Sequence, residues 1–125
     1  MVSLHSLDSH RSNLMAWIDR ILQLLQMIKK QKGMFLYPLE VATLEVYLAG
    51  FRAGCASFGA DIPKELRRKV TEARGWKRSA AGPVAQMKEK GMGEEAIMDE
   101  LLDMEIEIYR QLGEKIAAAR AAKPS

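Results

Sequence analysis

The chain predicts an all-α fold: a compact bundle of four to five helices built on an N-terminal antiparallel helical hairpin. Three observations carry that reading. Apolar residues recur in steps of three and four along several stretches, the period of a helix with one face in a core. Alanine, leucine, glutamate and lysine dominate, and β-branched residues are scarce outside the apolar stripes, a composition that favours helix over strand. Gly33, Pro38, Gly59, Pro63, Gly75 and the pair Gly82-Pro83 fall where the stretches stop, so the breaks and the periods agree. With 125 residues, one domain can bury a core without disulfides or metal.

Residues 1–11 are polar and rich in Ser and His, and read as a flexible N-terminus ahead of a single helical domain at 12–117. The first helix carries Leu14, Trp17, Ile18, Ile21, Leu22, Leu25 and Ile28 on one stripe, widened by Leu24 and Met27. Ser12 or Asn13 is the expected cap. Lys29, Lys30 and Lys32 suit the negative end of its dipole, and Gly33 is the expected left-handed stop. Pro38 is expected to set the start of the next helix. That helix carries Leu44, Leu48, Phe51, Cys55 and Phe58 and ends at Gly59. Its small residues Ala42, Ala49, Gly50, Ala53 and Gly54 invite close approach by another helix.

Asp61-Ile62-Pro63 signals a third start, with Asp61 as cap and Pro63 in the first turn. The helix should run to Arg74, closed by Gly75, with Leu66 and Val70 inward. Trp76 then reads as a core or lid residue, against the alternative of an exposed aromatic that stacks on a base or partner. Pro83 to Lys90 forms a short helix with Val84 and Met87 inward. Gly93 to Ala122 is the longest element, with Ile97, Leu101, Met104, Ile108, Leu112 and Ile116 on its stripe and Met98, Leu102 and Tyr109 broadening it. Residues 118–125 read as a frayed tail.

The string Ile28-Lys29-Lys30-Gln31-Lys32-Gly33-Met34-Phe35-Leu36, followed by Leu44, Leu48, Gly50 and Phe51, resembles a family of small uncharacterised bacterial proteins. Those have a lysine- or arginine-led Arg-Pro-Gly-Met-Tyr-Leu-Gly motif and then a helix of Leu…Phe-Leu-x-Gly-Tyr pattern. The likeness spans Leu25 to Leu112, with Trp76 and Glu94–Glu107 matching a tryptophan and an acidic final helix. Lys32 stands where the motif has proline, and Tyr37 where it has its last glycine. The resemblance implies a helical fold and no activity. Some proteins of this kind are immunity or antitoxin partners.

Charge is segregated along the chain. Its net +3 covers nine basic residues against three acids between Lys64 and Lys90, then seven acids and no base between Glu94 and Glu107. Such a dipole either closes on itself within the fold, lies on solvated faces, or meets a partner of opposite charge.

Three function classes follow. The first is a non-enzymatic protein–protein module of immunity or inhibitor type, with Glu95, Asp99, Glu100, Asp103 and Glu107 docking a basic protein. The second binds nucleic acid through Lys64, Arg67, Arg68, Lys69, Arg74, Lys77 and Arg78, with Trp76 available to stack. The third is an enzyme holding magnesium on Glu100-x-x-Asp103, for which no matching second pair exists. The expectation is the first class, no catalysis, and no cofactor or metal. His5 and His10 are the only histidines, and their spacing does not suit a helical metal pair. No phosphate-loop glycine pattern occurs. Cys55 is alone, lies on an apolar stripe and reads as a structural thiol. A single cysteine, no visible signal peptide and no long apolar run place the expected protein in the cytoplasm, away from membranes. Wide stripes and eight methionines leave a homodimer open.

Overall fold

The helical period carries through to six helices, α1 (Leu4–Lys30), α2 (Lys32–Phe35), α3 (Val41–Ser57), α4 (Lys64–Ala73), α5 (Gly82–Glu89) and α6 (Glu94–Ala122), in the computed structural model. It describes the backbone of residues 4–122 and the side chains of 13–122, and no strand occurs among them. The side chains of His5 and His10 lie outside the described residues. The all-α bundle is borne out; the helix beyond the expected number is the single turn α2.

Several boundaries differ from expectation. α1 starts at Leu4, not at Ser12 or Asn13. No glycine or proline interrupts residues 4–13, and Leu4, Leu7 and Leu14 keep the helical spacing. α6 reaches Ala122, the end expected for it, but residues 118–122 are helix rather than frayed tail, because they are mostly alanine, the strongest helix former. Gly33 is no stop: it sits inside α2, and the chain bends at Gln31 (φ −134°, ψ 56°). α3 begins at Val41 rather than at Pro38, and α4 follows Pro63 without a side-chain cap from Asp61. Gly59 and Gly75 do take the left-handed conformation (φ 91° and 95°) that ends their helices.

Packing is centred on α6. It lies along α1 and also contacts α3, α4 and α5, whereas α1 and α3 do not pack along each other. They meet where Trp17 stacks on Phe58, just past the end of α3, at 5.0 Å between ring centroids. α3 thus returns toward α1 as the expected hairpin requires, but α6 stands between them. The reason is visible on α6, which buries Ile97, Leu101, Met104 and Ile108 on one side and Met98, Leu102, Tyr109 and Leu112 on another. A helix buried on more than one face belongs inside a bundle. Facing it are Ile18, Ile21, Leu25 and Ile28 of α1, Val41, Leu44 and Leu48 of α3, and Leu66 and Val70 of α4.

The small-residue face of α3 attracts no neighbour. Ala42, Ala49, Gly50, Ala53 and Gly54 are exposed, and a Cβ on either glycine would meet nothing within 4 Å. The close approach is made by Gly113 of α6, where a Cβ would lie 3.2 Å from Cγ2 of Ile18. In the loop that carries the family likeness, Gly33, Met34 and Tyr37 face outward and Leu36 alone is buried. Among the described residues no helix is long and apolar enough to cross a membrane.

Candidate functional site

The acidic face of α6 is met by cations from the rest of the chain. Lys29 near the end of α1 bonds Asp103 at 2.6 Å, and Lys32 of α2 bonds Asp99 at 2.6 Å. Arg74, just past α4, forks onto both oxygens of Glu100 at 2.8 and 2.6 Å. The Trp76 indole adds a hydrogen bond to Glu100 Oε2 at 2.8 Å. Glu107 pairs with Arg110 one turn on and accepts from Gln111. Glu94 accepts the backbone N–H of Val41 at 2.8 Å, so the first residue of α6 caps α3, where negative charge suits the free N–H groups. Of the five acids proposed for partner binding, Glu95 alone is exposed with no ion pair among the described residues. The segregated charge closes largely on itself.

Of the acids of α6 outside that set, one is buried. Glu105 is 1% exposed and is held by two arginines. Arg52 of α3 donates to Oε1 through Nε (3.1 Å) and a terminal nitrogen (2.5 Å), and Arg67 of α4 donates to the same oxygen. The pairing ties α3, α4 and α6 together. A signal existed in the sequence: Glu105 falls between Leu101, Leu102, Ile108 and Tyr109, on the stripe itself. Next to it the Tyr109 ring packs edge-on to Phe51 at 6.2 Å. Its hydroxyl lies beside the Cys55 thiol without a well-formed hydrogen bond. Burial pushes both the phenol and the thiol up from their ordinary pKa.

The basic segment divides in two. Arg67 and Trp76 turn inward, and Arg74, though exposed, is paired with Glu100; Trp76 is 6% exposed, so it is a core residue and not a stacking platform. Lys90 stands over its ring at 4.8 Å. Lys64, Arg68, Lys69, Lys77 and Arg78 are exposed, and none makes an ion pair among the described residues. Lys64, Arg68, Lys77 and Arg78 flank a shallow groove of about 470 Å³ between α4 and the segment leading to α5, with Glu65 and Glu72 also on its wall. That segment is pinned by Gln86, which accepts from the N–H of Lys77 at 2.9 Å and donates to its carbonyl at 2.6 Å.

Glu100 and Asp103, the magnesium pair of the enzyme reading, are both engaged by Arg74, Asp103 more distantly at 3.8 Å. Among the described residues no three His, Cys, Asp or Glu side chains converge as metal ligands. Compared with family models, with curated proteins and with solved structures, the chain matches none of them.

Proposed function

We propose that this protein is a non-catalytic binding module of the cytoplasm that takes a nucleic acid along its exposed basic face. One observation carries the reading: Lys64, Arg68, Lys77 and Arg78 flank one groove without internal partners, while Asp99, Glu100, Asp103, Glu105 and Glu107 of α6 are paired with other cations. Phosphate attraction is therefore not cancelled by the neighbouring acidic helix. The competing reading, an immunity- or inhibitor-type protein docking a basic partner, keeps Glu95 as its one unengaged carboxylate of the proposed set.

The test is fluorescence anisotropy with single- and double-stranded oligonucleotides over a salt series. Four phosphate contacts, from Lys64, Arg68, Lys77 and Arg78, give a log–log salt slope of about −3 on single strands and about −4 on duplex. Reversing Lys64, Arg68, Lys77 and Arg78 to Glu should abolish binding, whereas Glu95→Lys should not weaken it. No binding at low salt, or binding indifferent to the four reversals, overturns the proposal. A stoichiometric protein retained on the wild type and lost in Glu95→Lys would establish the competing reading instead.

A further inference from the structure

Arg52 and Arg67 converge from α3 and α4 on the single carboxylate of Glu105. Guanidinium groups stay charged at any working pH, so the cluster keeps one positive charge beyond what Glu105 neutralises. Donors are left over as well. Among the described residues one terminal nitrogen of Arg52 and Nε of Arg67 make no hydrogen bond.

The cluster borders a cavity of about 270 Å³, whose lining joins Arg52, Arg67 and Glu105 to Leu48, Met104 and Ile108. Small-molecule sites begin at roughly this size, with mostly apolar walls and a few placed polar groups. Two other acids lie near the arginines: Glu45 on the same cavity and Asp61 on a smaller neighbouring groove. Both are exposed, and neither pairs with Arg52 or Arg67. Two partly exposed guanidinium groups with spare donors, set beside the apolar side chains of Leu48, Met104 and Ile108, suit an anion with an apolar body, and a planar carboxylate matches the guanidinium fork.

We infer that the cavity between α3, α4 and α6 binds a small organic acid, its carboxylate on Arg52 and Arg67 and its body against Leu48, Met104 and Ile108. This goes beyond the nucleic-acid reading and does not depend on it. Arg67 borders both grooves, so the discriminating variants are at Arg52 and Glu105.

The experiment is methyl NMR of the full chain titrated with benzoate and hexanoate, each against its neutral amide. The acids should shift the Met104 and Ile108 methyls with Kd on the order of 1 mM, as expected for ligands of about nine non-hydrogen atoms. The amides should bind at least about tenfold more weakly, having lost the charge-assisted bonds. Arg52→Gln should weaken the acids alone. Glu105→Gln frees both guanidinium groups and should tighten the acids relative to the amides, which a purely structural role for Glu105 would not do. If Arg52→Gln fails to fold, the Glu105→Gln titration decides. Arg68→Glu with Lys77→Glu should leave acid binding unchanged, so this inference and the nucleic-acid reading fail separately. Acids and amides that titrate alike, pocket methyls that stay still at about 10 mM acid, or no tightening in Glu105→Gln would each overturn the inference.

Discussion

A carboxylate at position 105 survives burial because two guanidinium groups donate to it. Glu105→Ala leaves both facing each other without their acceptor. Breaking a buried pair costs about 3–5 kcal/mol; with Arg52 and Arg67 38% and 32% exposed, solvent screens part of that. A loss of about 2–3 kcal/mol in urea denaturation is expected, and a loss below about 1 kcal/mol would mean the pairs behave as surface bridges. Glu100 gives a pH signature. The Arg74 guanidinium beside it holds its carboxyl below the usual range, against the opposing pull of partial burial and with help from the Trp76 indole. A depressed folded pKa contributes stability that is present above the unfolded value and lost as pH falls through the folded one. Glu100→Gln should therefore be less stable at neutral pH and show a flatter acid limb between about pH 5 and about pH 3. Denaturation followed by Trp76 fluorescence in a Trp17→Phe background measures both. At Cys55, burial raises the thiol pKa, so thiol-reactive dye should label the native protein far more slowly than the unfolded chain.

Glycines distinguish the helices by what stands next to them. Gly50 and Gly54 lie inside α3 with ordinary backbone and open space around the missing Cβ. Alanine at either should stabilise by about 0.5–1 kcal/mol through helix propensity and a less flexible unfolded chain. Gly113 would gain the same propensity, but its Cβ would press on Ile18 at 3.2 Å, and Ile18 is 1% exposed with nowhere to retreat. Thermal melts should rank Gly50→Ala above the wild type and Gly113→Ala below it. A stabilised Gly113→Ala would show that α1 and α6 can separate by a few tenths of an ångström at little cost.

Because α6 supplies a face to α1, α3, α4 and α5, no pair of the other helices holds a core of its own. The molecule should unfold in one cooperative step. Two tryptophans test this from separate places: Trp17 at the α1–α3 contact and Trp76 against α6. In Trp76→Phe the remaining fluorescence reports Trp17, and in Trp17→Phe it reports Trp76. Each should coincide with the circular dichroism transition of the same variant. A Trp17 signal lost earlier would mean that the exposed Trp17–Phe58 end opens independently.

Helix content, order and most stops were legible because they follow from local spacing. The stripe Ile18–Ile28, the pair Leu66 and Val70, and the left-handed Gly59 and Gly75 depend on residues within a turn or two. The inward Trp76 was also readable, as an indole directly after a helix stop. Tertiary structure alone decided which helix is central and where the charges go. Lys29 and Asp103 are 74 residues apart in the chain, and Arg74 and Glu100 are 26 apart. No periodicity records such pairings, so seven acids in a row of turns read as a surface when most of them are internal ties. Glu105 on an apolar stripe was the one local sign, since a charge among buried residues requires partners that only folding can bring.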